Sequence, residues 1–130
     1  MIAMPVTFRY VTAESPPAPY VLVSVGRPDG TTLLLDVPAK VDCGADRTVF
    51  PTQLATQLKL EEVERREFEG LGGQRVTMSI FHVLLTIRGC SAVQVAVAGN
   101  DSEPHILIGR DVLNLFRIVL DGPNAKLEIG

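Results

Sequence analysis

Short apolar runs punctuated by glycine and proline set the pattern of this chain. Tyr20-Val21-Leu22-Val23-Ser24-Val25 and Thr31-Thr32-Leu33-Leu34-Leu35 flank Gly26-Arg27-Pro28-Asp29-Gly30. That composition predicts a hairpin, with Asp29-Gly30 suited to positive φ. A further apolar lead-in, Val37-Pro38-Ala39 and then Val41 after Lys40, delivers Asp42-Cys43-Gly44-Ala45-Asp46 as a tight turn, and Thr48-Val49-Phe50-Pro51 leaves it. Pro51-Thr52 opens a short helix whose Leu54, Ala55 and Leu58 share one face.

Residues 61–69 have helical propensity, yet the segment after them alternates cleanly, with Val76, Met78 and Ile80 set against Thr77, Ser79 and Phe81. A strand of that kind needs a partner, and Gly70-Leu71-Gly72-Gly73 is a natural turn. The expectation is therefore a hairpin over roughly 64–80. His82–Ile87 and Val93–Ala98 are expected as further strands joined near Gly89-Cys90. Asp111–Phe116 is expected to form one or two helical turns, with Asp111 at the positive end of the helix dipole. Arg117–Leu120 and Ala125–Ile129 flank another turn, Asp121-Gly122-Pro123-Asn124. Residues 1–19, rich in proline, are expected as an N-terminal arm or peripheral strand ahead of a domain over 20–130. Many short strands with little helix predict an all-β fold with one or two short helices, closed or orthogonally packed as a β-barrel.

Composition narrows the function. The 130 residues suit one domain that buries about two-thirds of its unfolded surface. A net charge of −3 with scattered arginines argues against nucleic-acid binding. No apolar run approaches the roughly 20 residues of a membrane span, and the first residues lack the pattern of a secretion signal. Two cysteines, Cys43 and Cys90, make no disulfide framework, so a cytoplasmic setting with reduced thiols is expected. His82 and His105 have no metal-ligand spacing with each other or with the cysteines, and no metal or other cofactor is expected.

Chemistry concentrates at Asp42. A carboxylate between two apolar runs is expected to be partly desolvated, a setting that favours acid–base work. Peptide hydrolysis by carboxylates needs two of them about 3 Å apart, sharing one proton. Only Asp42 offers an Asp-x-Gly in an apolar setting, since Asp29-Gly30 and Asp121-Gly122 stand in turns. A single copy of a two-carboxylate site implies a two-fold homodimer.

Asp42–Asp46, Gly70–Gly73 and Ile106-Leu107-Ile108-Gly109-Arg110-Asp111, in that order, resemble the catalytic loop, flap tip and late strand–turn–helix of the retropepsin-like aspartic proteases. The resemblance spans roughly residues 20–130. It implies the acid-protease barrel with a glycine-rich flap hairpin, and a homodimeric endopeptidase acting on peptide or protein substrates. It further implies Asp42 as the catalytic carboxylate and Cys43 and Gly44 as the loop that grips the partner subunit. Substrate would be bound by Ala45, Asp46, Val49, Gly70, Leu71, Gly72 and Leu107. Arg110, beneath the site, would pair with Asp46 in a structural ion pair.

Cys43 departs from the family pattern, where threonine or serine stands. A thiol is larger and hydrogen-bonds weakly. Three readings follow: a tolerated variant with a looser dimer, a redox-sensitive site, or a loop released from catalysis. The last would make the chain a catalytically weak or inactive dimerisation or peptide-binding module. A Cys43–His nucleophilic pair lacks a third, orienting group.

Overall fold

The computed structural model describes residues 4–130. Its strands are β1 (Val6–Arg9), β2 (Tyr20–Gly26), β3 (Leu33–Val41), β4 (Val49–Pro51), β5 (Glu64–Glu69), β6 (Arg75–Ile87), β7 (Val93–Asn100), β8 (Ile106–Ile108), β9 (Ile118–Asp121) and β10 (Lys126–Ile129). Two short helices complete it, α1 (Thr52–Gln57) and α2 (Arg110–Leu113). The larger sheet runs β2-β3-β8-β4-β7-β6-β5, and a β2–β6 pairing closes its first six strands into a barrel. A separate sheet, β1-β10-β9, lies beside it. The fold is thus mainly β and closed, as the strand-rich pattern predicts.

The barrel is filled by alternating apolar side chains. Val21, Val23 and Val25 of β2, Val83, Leu85 and Ile87 of β6 and Ile106 and Ile108 of β8 are all buried in one cluster. Leu54, Ala55 and Leu58 place α1 against the same core, as their spacing predicts. Arg27 secures the end of that helix by donating to the carbonyl oxygens of Leu58 (3.1 Å) and Lys59, groups that the helix leaves unpaired. Leu127 and Ile129, both fully buried, join the smaller sheet to the core.

Two segments are more continuous than their sequence suggests. The apolar runs 31–35 and 37–41 belong largely to one strand, β3, interrupted by a bulge. Val25 pairs with Leu34 and Val23 with Val37, so Leu35 and Asp36 stand opposite Ser24 alone. Asp36 absorbs the extra residue with φ +54° and pairs with Arg88 at 2.7 Å. Likewise 75–80 and 82–87 form one thirteen-residue strand, β6. Its first part pairs with β5, and its second with β7 and β2. Nothing in Ile80-Phe81-His82 breaks the strand, and both Ile80 and Phe81 are buried where it passes from hairpin to barrel. The hairpin over 64–80 is present despite the helical propensity of 61–69, because pairing with β6 outweighs local preference.

The N-terminal segment is an edge strand, with β1 paired antiparallel to β10 from Val6↔Ile129 to Arg9↔Lys126. The chain then returns past Glu14, whose carboxylate accepts hydrogen bonds from the Tyr20 hydroxyl and from Lys40 Nζ (2.7 Å). Burial, and then the hydrogen bond to Glu14, pushes the Tyr20 phenol up to about 12. A raised value means that Tyr20 stabilises the fold fully below the ordinary 10.0, and that this contribution is lost as pH rises through about 12. Tyr10 and Tyr20 are the two tyrosines. In an ultraviolet titration the late-ionising signal should therefore belong to Tyr20 and vanish in Tyr20→Phe, and its survival in that variant would refute the assignment.

Candidate active site

The Asp42 loop owes its shape to the strand between its ends. In the sheet, β8 lies between β3 and β4, parallel to β3 (Val41↔Ile108) and antiparallel to β4 (Val49↔Leu107). The chain leaves β3, arches over the end of β8 and returns as β4. The Asp42 N–H donates to the Ile108 carbonyl (3.0 Å), so the carboxylate-bearing residue continues the β3–β8 ladder by one step. Asp42 Oδ1 accepts from the Gly44 N–H (3.0 Å) and the Ala45 N–H donates to the Asp42 carbonyl (3.2 Å), a tight Asx-type turn. Asp42 is half-buried, whereas Cys43 and Gly44 are exposed at the apex.

Beneath the arch the chain passes through Gly109. A Cβ there would lie 2.7–2.9 Å from the Arg47 carbonyl group and the Ala45 oxygen, so only glycine allows so close an approach. Loop and helix then cap each other. The Arg110 N–H donates to the Ala45 carbonyl (2.8 Å) and the Asp111 N–H to that of Asp46 (3.3 Å). In return Asp111 accepts from the Thr48 N–H (2.9 and 3.0 Å) and from the Thr48 hydroxyl (2.7 Å), and that hydroxyl accepts from the Gly109 N–H (3.1 Å). Thr48 is fully buried, with every polar atom partnered.

From the sequence alone Asp111 has only a helix-dipole role, and Thr48 none. The available signal was a hydroxyl inside the apolar run Thr48–Pro51, because a buried hydroxyl demands partners. Arg110 lies less deep than expected. Its side chain is 46% exposed, it reaches the 95% exposed Asp46 only at 4.0 Å, and it donates to the Cys43 carbonyl at 2.7 Å. In the single chain Arg110 holds the loop backbone more closely than it holds Asp46.

The β5–β6 hairpin carries Gly70, Leu71 and Gly72 at its tip. Gly72 and Gly73 take φ +84° and +78°, the Gly70 N–H donates to the Gln74 carbonyl (2.7 Å), and Leu71 is 98% exposed. Between hairpin and loop opens a cavity of about 890 Å³. Ala45, Asp46, Arg47 and Val49 form its loop side, and Arg66–Glu69 with Met78 its hairpin side. Leu107, half-buried opposite Val49, is not part of this wall, and neither are the tip residues 70–72. Several walls are charged, through Asp46, Arg47, Arg66, Glu67, Glu69 and Asp111. Of the residues expected to bind substrate, Ala45, Asp46 and Val49 line this cavity, beside the apolar Phe68 and Met78. Arg47 and the hairpin wall went unnoticed in the sequence because their convergence depends on the barrel closing.

A closed β-barrel with a half-buried carboxylate on an arched loop, whose returning limb faces a glycine-tipped hairpin across an open cleft, is the architecture of the acid proteases, although Asp42 itself lies outside the cavity's lining. The sequence model of the aspartyl protease family matches residues 26–112, and the chain belongs to that family. No curated protein matches it by sequence. Among solved structures it is similar to a retropepsin-like aspartic protease from Rickettsia conorii, with a TM-score of 0.66 at 14% identity over 98% of this chain and 91% of that one. EIAV protease, complexed with the inhibitor HBY-793, gives 0.55 at 23% identity over 75% and 86%. The retroviral protease-like domain of Ddi1 from Leishmania major gives 0.50 at 18% over 80% and 81%. These likenesses establish the retropepsin-type fold.

The reciprocal capping yields a test. Asp111→Ala strands the buried Thr48 N–H and hydroxyl, and should cost about 1–3 kcal/mol in urea unfolding. Asp111→Asn, which keeps an acceptor, should cost less. Equal losses for the two variants would show that charge, and not the hydrogen bonds to Thr48, matters here.

Proposed function

We propose that this protein is an aspartic endopeptidase of retropepsin type, active as a homodimer and using no cofactor. The observation that carries the reading is the Asp42 loop: one half-buried carboxylate in an Asp-Cys-Gly turn, on an arch braced from below by β8 and α2, inside a family of aspartyl proteases. One chain brings one such carboxylate, so two chains meet with their Asp42 side chains at the two-fold axis. The pair shares a proton because like charges so close cannot both ionise. The ionised member takes a proton from the attacking water, and the protonated member donates toward the substrate carbonyl oxygen. The tetrahedral intermediate then collapses with cleavage of the C–N bond as the amine gains a proton.

Cys43 and Gly44 form the contact between the two loops. Gly44, Ala45 and Asp46 meet the peptide backbone, which lies extended and pairs strand-like with cleft and hairpin. Gly70, Leu71 and Gly72 cover it, and Val49 and Leu107 offer apolar contact. Arg110 and Asp46 brace the loop. A second reading keeps the fold without catalysis, as a dimerisation or peptide-binding module, and is favoured by the exposed Cys43 thiol where a hydroxyl would lock two loops together.

Asp42→Asn separates the two readings. The amide is nearly isosteric but cannot act as base, so cleavage of a peptide library should be lost while the circular dichroism spectrum and dimer mass are kept. Undiminished cleavage would exclude Asp42 as the catalytic group. Wild-type activity should be highest at acidic to mildly acidic pH, because the shared proton is lost as pH rises. A rate still climbing above neutrality would point to the thiol instead. Specific activity should also fall on dilution in step with dimer dissociation measured by sedimentation.

A further inference from the structure

We infer that Arg47 selects an acidic side chain in the substrate, so that the cleft takes peptides carrying a glutamate or aspartate beside the Asp42 loop. The inference rests on the peptide-binding reading above and adds a charge to its specificity. Arg47 lies on the returning limb of the loop, half-buried, and lines the 890 Å³ cavity together with Val49, Phe68 and Met78. One Nη donates to the Ala96 carbonyl (3.1 Å), and the guanidinium carbon sits 5.8 Å from the centre of the Phe68 ring. These two contacts fix the plane of the group while using one of its five N–H donors.

Among the described residues no carboxylate lies within 4.0 Å of Arg47, whereas the cavity's other arginine, Arg66, is held by Glu64 at 2.7 Å. The nearby acids are largely engaged elsewhere. Asp111 is occupied by Thr48, Glu67 pairs with Arg75 at 3.8 Å, and Asp46 faces Arg110 at 4.0 Å. Among the described residues Glu69, on the hairpin wall, has no ion-pair partner, and it and the loosely held Asp46 are the local competitors. An oriented, half-buried guanidinium with free donors on a partly apolar wall is suited to a carboxylate, which it can bind in a two-pronged fashion.

The experiment uses peptides identical except at one position, scanned along the sequence as Glu, Gln or Lys. Two readouts apply: kcat/KM with the wild-type protein, and fluorescence-anisotropy affinity with the Asp42→Asn protein, which binds without cleaving. At one position Glu should exceed Gln by about tenfold and Lys should be poorest. Arg47→Met should erase that ranking, Arg47→Lys should restore part of it, Arg47→Glu should invert it toward Lys, and Glu69→Gln should sharpen it. Thermal melting confirms that each variant folds. A ranking unchanged in Arg47→Met, or no charge preference in either readout, overturns the inference while leaving peptidase activity standing. Peptides that bind with an Arg47-dependent preference for Glu but are never cleaved would support it and refute the catalytic reading. Failure of any peptide to bind overturns both.

Discussion

The candidate site depends on a partly buried hydrogen-bond exchange, centred on the buried Thr48, between two segments more than 60 residues apart. Asp111 satisfies the Thr48 N–H and hydroxyl, the hydroxyl satisfies the Gly109 N–H, and the loop carbonyls of Ala45 and Asp46 satisfy the first N–H groups of α2. None of these groups has a partner among its own sequence neighbours. Removing the Asp111 carboxylate strands the buried Thr48 N–H and hydroxyl, and removing that hydroxyl strands the buried Gly109 N–H, each at a desolvation penalty. The turn that carries Asp42 is therefore held mainly by what passes beneath it.

This arrangement explains the placement of β8. A three-residue strand is too short to be stable alone, yet it is bordered by β3 and β4 and filled by Ile106 and Ile108. The loop can arch only after β8 has been inserted between its two ends. Final assembly of the site must accordingly wait for long-range pairing, the slower kind of contact in folding. The outward surface of the same loop is left to polar work. There Cys43 and Asp46 are exposed, and Arg47 turns into the cleft.

Much of this was legible in the chain. Alternation and turn residues marked most strands, the hairpin at 64–80 and the helix faced by Leu54 and Leu58, because each follows from local spacing. Asp42–Asp46, Gly70–Gly73 and Ile106–Asp111 marked the arched loop, the hairpin tip and the strand–helix beneath the loop, of which only Ala45, Asp46 and Asp111 line the cavity. What stayed hidden was relational. Nothing near Asp36 announces that it is the extra residue of a bulge, since a bulge is defined by the facing strand. Thr48 and Asp111 each have an ordinary local reading, and only their meeting creates the brace. Arg47 looked like one scattered surface charge until Phe68 and Ala96 were brought against it from other strands.

The continuity of β6 has a mechanical consequence. A hairpin joined to a barrel by loops could swing as a separate lid, but here one arm is the lower part of a barrel stave. Displacement of Leu71 must bend or twist that stave, with the fulcrum where Ile80 and Phe81 are both packed into the interior. The load then passes through the ladders to β7 and β2, the second of which also borders β3, the strand that ends at Val41, next to Asp42. Tip and Asp42 loop are thus opposite ends of one elastic element, and stiffness in the barrel wall sets how far the one can move without disturbing the other.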